Sequence, residues 1–198
     1  MKRTVFISIV GRPNVGKSTI MNRILGEKVA IVSNKPQTTR NCIRGILTEG
    51  EDQFVFFDTP GIHRPQNRLG DYMVTAAKSG MQQGDVVMLV VDVNKPVSKT
   101  ELEVIEYLKR EGVPSLLVLN KIDTVEKETL LEVMAMYSEA CDFLTVIPLS
   151  AKTGDGVALL ESVLREQCFE SPALFPEDMV SDQPERQIVA EIVREKLL

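Results

Sequence analysis

Near the amino terminus, Gly11-Arg12-Pro13-Asn14-Val15-Gly16-Lys17-Ser18 satisfies the pattern GxxxxGK[ST] at every fixed position. These residue types suit the binding of a nucleoside triphosphate. The glycines let the backbone wrap tightly, so that successive N–H groups face phosphate oxygens. Lys17 would reach the β- and γ-phosphates, Thr19 would bind phosphate together with residues 11–18, and the Ser18 hydroxyl would also face a Mg²⁺ ion. A second run, Asn120-Lys121-Ile122-Asp123, offers a carboxylate at Asp123. It can accept two hydrogen bonds from N1–H and the 2-amino group of guanine, a donor pair that adenine lacks, so the pattern favours GTP over ATP. Asn120 would orient that loop and face the base edge, and the aliphatic stem of Lys121 would lie over the ring. Ser150-Ala151-Lys152 would add a second base contact, with the Ala151 N–H donating to guanine O6. Asp58-Thr59-Pro60-Gly61 supplies an acid for Mg²⁺ and a glycine N–H for the γ-phosphate. Gln37-Thr38-Thr39-Arg40 supplies a threonine for the same ion, and Thr39 is favoured. The expected metal set is thus Ser18, Thr39 and Asp58. The catalytic set expected from these motifs is Lys17, Thr39 and Gly61. Segments 28–40 and 59–80 read as switches that a γ-phosphate would clamp.

Such motifs need strands to deliver them. Val5–Val10 runs into the first motif. Val86–Asp92, Pro114–Asn120 and Leu144–Leu149 are nearly continuous apolar runs, as expected of strands buried on both faces of a parallel sheet. Asn41–Thr48 and Gln53–Asp58 read as a hairpin around Glu49-Gly50-Glu51-Asp52. Helical patterns over Ser18–Leu25, Lys99–Glu111, Glu126–Ala140 and Gly156–Gln167 alternate with them. The expected fold is α/β: a P-loop three-layer sandwich around a mostly parallel six-stranded sheet with one antiparallel strand.

The 198 residues suffice for one core, and the net charge of −5 lacks the basic footprint of a bare polyanion binder. Cys42, Cys141 and Cys168 are dispersed and odd in number, which fits free thiols in a reducing cytosol. Residues 1–170 read as the nucleotide-binding domain. Residues 171–198, with Pro172, Pro176 and Pro184, read as a linker leading into an amphipathic helix. There Asp182 would act as a cap, and Ile188, Val189, Ile192, Val193 and Leu197 would share one face. The charges of Lys99–Arg110 read as a solvated helix face. His63 and Arg40 read as surface or switch groups before catalytic ones, and Arg12 divides between packing and transition-state stabilisation. Thr153-Gly154-Asp155-Gly156 reads as a turn.

The five motifs, in this order and spacing, resemble those of the TRAFAC-class Era-like bacterial GTPases. The Gln37–Arg40 run, Phe175-Pro176-Glu177-Asp178 and Glu191–Lys196 extend the likeness into the tail. The resemblance implies a GTP/GDP switch, monomeric and cytoplasmic, assisting small ribosomal subunit assembly and 16S rRNA maturation, with a peripheral contact at the inner membrane face left open. In that family RNA is bound through a carboxy-terminal KH domain with a GXXG loop. No GXXG follows the tail here, so RNA binding does not carry over residue by residue. Ile62 stands where Ras-like proteins place a water-orienting Gln, which predicts slow intrinsic hydrolysis. The family also implies that Asn14 joins the catalytic set by helping to hold K⁺ beside the phosphates. Two other readings compete: a stand-alone regulatory GTPase acting on a protein or membrane partner, and an ATP-using P-loop kinase, which Asp123 argues against.

Overall fold

A computed structural model describes residues 1–30, 43–58 and 84–197. Five of its strands run parallel: β1 (Arg3–Val10), β3 (Asp52–Asp58), β4 (Val86–Asp92), β5 (Ser115–Asn120) and β6 (Thr145–Leu149). Strand β2 (Ile43–Glu49) pairs antiparallel with β3 across a turn at Gly50-Glu51, giving the order β2-β3-β1-β4-β5-β6. Helices α1 (Lys17–Leu25), α2 (Lys99–Glu111), α3 (Lys127–Ala140) and α4 (Val157–Glu166) cover the two faces, and α5 (Glu185–Leu197) closes the described chain.

The apolar runs divide strictly by parity, as the two-residue period of a strand requires. In β4, Val86, Met88 and Val90 face one core, while Val87, Leu89 and Val91 face the other. In β5, Leu116 and Val118 part from Leu117 and Leu119 in the same way. The first core is closed by Ile20, Met21 and Ile24 of α1 and by Leu160 and Leu164 of α4. The second is closed by Val104, Ile105 and Leu108 of α2 and by Tyr137 of α3. Each such buried aliphatic side chain contributes roughly 1.5–3 kcal/mol relative to exposure.

A seventh strand joins the six on the expected path. β1 begins before β4 reaches it, since their pairing starts only at Ile7↔Val86. The edge left open at Arg3-Thr4 is taken by β7 (Phe169–Glu170), antiparallel. The tail beyond is stitched to the hairpin. Gln53 accepts from the N–H of Leu174 and Phe175 through Oε1 and donates to Phe175 O. Ile46 N–H donates to Val180 O, and Ser181 Oγ donates to Arg44 O. Asp182, read as a helix cap, receives Arg44 at 2.6 Å. On α5, Val189 and Val193 are more than half exposed.

Because the five strands are parallel, their carboxyl ends share one edge. Asp92 lies opposite Asn120, and Asn120 opposite Leu149, in register. Every described motif therefore emerges at the rim where ligands of open α/β sheets bind.

Candidate nucleotide site

The phosphate loop begins where β1 ends and closes as α1 begins. Gly11 lies against β4, and a Cβ there would stand 2.4 Å from Val90 O. Asn14 at the apex has φ +64°, a left-handed conformation that Asn tolerates better than most residues. Val15 turns inward and is 2% exposed. Gly16 has φ +104°, and a Cβ there would meet Asn120 Nδ2 at 2.1 Å. Two constraints on one residue, handedness and space, explain why only glycine serves.

Lys17 opens α1 with its ammonium folded back under the loop, donating to Gly11 O at 3.0 Å and Arg12 O at 3.1 Å. Burial lowers the Lys17 pKa, and the neighbouring Asp58 carboxylate opposes that shift. The Ser18 hydroxyl donates to Asp58 Oδ2 at 2.6 Å. Asp58 ends β3, one strand away, and is fully buried. A hydroxyl and a carboxylate meeting beside a lysine form a hard oxygen donor pair, which fits Mg²⁺.

Asn120 holds the loop from beneath. Its Nδ2 donates to Val15 O at 2.7 Å, and its Oδ1 accepts from the Ala151 N–H at 3.0 Å. It is 2% exposed. Asn120 thus orients the loops, tying the phosphate loop to the loop after β6, and its amide nitrogen carries two N–H donors, so the bond to Val15 O does not exhaust it. The Ala151 N–H expected on guanine O6 is engaged by Asn120. Lys121 has φ +72° and turns its side chain back across the loop, where Nζ donates to Asn14 O at 3.0 Å and Asp92 Oδ2 at 2.6 Å. A 3-10 turn, Ile122–Thr124, then presents Asp123, which accepts from Ser150 Oγ at 2.6 Å. Ser150 Oγ also accepts from Thr153 N–H, and Gly154 N–H donates to Ser150 O, so the glycine pair belongs to a turn. Lys152 O receives Arg23 of α1.

Arg12 takes up a packing contact, one of the two roles its sequence left open. Its side chain leaves the phosphate side and pairs with Glu101 of α2, Nε to Oε1 at 2.8 Å. Glu101 is fully buried, so α2 does not present a wholly solvated charged face. The Ser98-x-x-Glu101 spacing accounts for it. Ser98 Oγ accepts from the Glu101 N–H while Glu101 Oε2 accepts from the Ser98 N–H, a reciprocal capping box. Burial, then the Glu101 charge, raises the Tyr137 pKa. Arg12 thus remains a loop residue by its backbone, and its side chain acts as an anchor.

Three residues missed by the motif search complete the frame. Asp92 receives Lys121, Asn94 N–H and Asn94 Nδ2. Burial works to raise its pKa, but the bonds from Lys121 and Asn94 leave it below the usual carboxylate value. Asn94 also reaches Thr124 Oγ1 at 2.7 Å. Asn22 of α1 brackets Val29-Ala30, accepting from both N–H groups and donating to Ala30 O. The signal for Asp92 was its place, an acid ending a buried strand. Gln37, Thr38, Thr39, Arg40, Thr59, Pro60, Gly61, Ile62 and His63 lie outside the described residues. Among the described residues no cluster of His, Cys, Asp and Glu forms a further metal centre, and no helix is long and apolar enough to cross a membrane.

A phosphate loop between β1 and α1, an acid one strand over and a second loop cluster after β5 and β6 define a P-loop nucleotide-binding domain. Comparison with known proteins narrows it. A family described as 50S ribosome-binding GTPase matches residues 6–121. GTPase Era of Clostridium botulinum is 50% identical over 198 residues, all of this chain and 67% of that protein. GTPase Era of Ruminiclostridium cellulolyticum is 46% identical over 98% of this chain and 65% of its own length. A crystal structure of Era with MgGDPNP and a segment of 16S ribosomal RNA superposes with a TM-score of 0.87 at 35% identity, covering 99% of this chain and 67% of that one. The chain belongs to the Era family of GTPases, and it spans about two thirds of the length of these relatives.

Proposed function

We propose that the chain binds GTP with Mg²⁺ and hydrolyses it as a cytoplasmic molecular switch whose output is small ribosomal subunit assembly and 16S rRNA maturation. The observation that carries this reading is the single frame built around residues 11–18. The Ser18–Asp58 pair stands on one side of it and the Ser150–Asp123 pair on the other. Ser18 and Asp58 would hold Mg²⁺, with Thr39 joining them, and the ion would neutralise charge on the phosphate oxygens. Lys17, drawn out from Gly11 O and Arg12 O, would meet the same charge. Asp123, held by Ser150, would accept from the guanine edge. The Era complex with MgGDPNP and 16S rRNA supports both the ligand and the ribosomal output.

Hydrolysis is slow in this reading, since Ile62 cannot orient water, and K⁺ held by Asn14 raises the rate. Fluorescent GDP displaced by GTP but not by ATP tests the base site. Asp123→Asn should weaken GTP at least about a hundredfold and admit xanthine nucleotides. Unchanged GTP affinity in that variant would remove Asp123 from the site. Equal rates in KCl and NaCl at matched ionic strength would remove K⁺. Nucleotide-dependent cosedimentation with small ribosomal subunits tests the output, and its absence points to the stand-alone regulatory reading.

A further inference from the structure

Asp92 ends β4 directly opposite Asn120 and is 5% exposed. One carboxylate oxygen, Oδ1, accepts from both Asn94 N–H and Asn94 Nδ2 at 3.0 Å. The other, Oδ2, faces Lys121 Nζ at 2.6 Å. Asn94 is itself fixed to Thr124 Oγ1 at 2.7 Å, and the Thr124 hydroxyl donates to Lys121 O at 2.6 Å. The four residues close a ring, Asp92–Asn94–Thr124–Lys121, around the turn that presents Asp123. Lys121 also crosses to the phosphate loop, through Asn14 O at 3.0 Å.

We infer that Asp92 is a positioning residue for nucleotide retention: it holds the Lys121 ammonium over the phosphate loop, and so fixes the lysine stem as one wall of the base pocket. This rests on the functional reading above. The physical case is geometric. A lysine stem has four carbons and much rotamer freedom, and a single carbonyl would not hold it. A buried carboxylate with one oxygen already committed has little choice of direction, so its second oxygen fixes the ammonium by a charge-assisted bond. The wall is then in place before the base arrives, which lowers the ordering cost of binding and slows release.

The test uses the full chain and fluorescent GDP. Asp92→Asn keeps an acceptor oxygen for the Asn94 turn and removes the charge. Dissociation of GDP should accelerate about tenfold or more, the loss expected for one charge-assisted hydrogen bond. The midpoint of thermal unfolding without nucleotide should stay within a few degrees of the parent, because the half-buried Lys121 can turn its ammonium to water. A merely structural role would not predict the decisive readout, a double-variant cycle. Lys121→Met should accelerate release, and Asp92→Asn added to it should do no more. Multiplicative effects, or an unchanged rate in Asp92→Asn, overturn the inference. A parent chain that fails to retain GDP, or retains ADP equally, overturns the functional reading and this inference with it. A parent that prefers GDP while Asp92→Asn behaves like it overturns this inference alone.

Discussion

The phosphate loop is held in two physically different ways. Beneath it, Asn120 makes a neutral, buried clamp that reaches Val15 O on one side and the Ala151 N–H on the other. At its flanks, ion pairs do the holding: Arg12–Glu101 towards α2 and Lys121–Asp92 towards β4. A neutral amide depends on close approach, which is why Gly16 has no room for a Cβ. An ion pair depends on the balance between desolvation and attraction, so its members tolerate movement but not the loss of one partner. The neutral clamp is therefore set by shape and the flanking clamps by charge.

The largest effect expected is on shape. Gly16→Ala forces a Cβ onto Asn120 Nδ2 and an L side chain into φ +104°. Strain of that kind costs about 1–3 kcal/mol in backbone alone, and the displaced amide adds to it. Nucleotide affinity should fall by more than about a hundredfold, at 1.4 kcal/mol per factor of ten. Isothermal titration with GDP checks it. Affinity within a few-fold of the parent would mean that Asn120 does not lie beneath the loop.

Next comes charge. Glu101→Ala removes the carboxylate facing Arg12 and one half of the capping box on α2. Breaking a buried pair on one side costs about 3–5 kcal/mol, and a lost cap about 1 kcal/mol. Arg12 retains a fifth of its side-chain exposure and can reach water, so about 3 kcal/mol is expected. Urea unfolding should show a lower midpoint with an unchanged slope. Removing both charges, in Arg12→Met with Glu101→Gln, should recover much of the loss, whereas Gly16→Ala should have no such partner. If the double variant is as unstable as Glu101→Ala, the pair is not the cause.

What could be read from the sequence follows the same division. Continuous apolar runs mark β4 and α2 to the residue, because strand parity and helical period leave few alternatives. The motif spacing names Ser18, Asp58, Asp123 and Ser150, and the structure brings them together in pairs. The partners of polar side chains are less visible. Asn120 carries a motif, but nothing local says that both its polar atoms turn inward. Glu101 reads as one charge among many on an amphipathic helix, although Ser98 three residues before it is a cap signal. β7 has two residues and exists because β4 leaves one edge of Arg3-Thr4 open, a tertiary fact with no local pattern. Asp92 ends an apolar strand and acquires its role only through Lys121, just past the end of the next strand.

A smaller effect belongs to the base side. Ser150→Ala leaves Asp123 without its hydroxyl partner and the Thr153 N–H without its acceptor. Both groups lie near water, so about 1 kcal/mol is expected, or roughly fivefold in GDP affinity. The loss should fall on guanine nucleotides, because the phosphate loop is untouched. Equal weakening of inorganic triphosphate binding would show that Ser150 supports the whole rim rather than the acid.

The smallest effect carries the comparison outward to the tail. Arg44 pairs with Asp182 at 2.6 Å and lies over the rings of Phe57 and Phe175. More than a third of each charged side chain is exposed, so water and salt screen the pair. Asp182→Asn should therefore cost no more than about 0.5 kcal/mol, and less at high salt. Arg44→Ala should cost more, because the guanidinium also covers two aromatic faces. The gap between the two variants measures how far this contact works by packing rather than by charge. Equal losses that vanish together in 1 M NaCl would make it an ion pair of the same kind as those at the loop, only weaker. A salt-insensitive loss confined to Arg44→Ala would place it with Asn120, among the contacts set by shape.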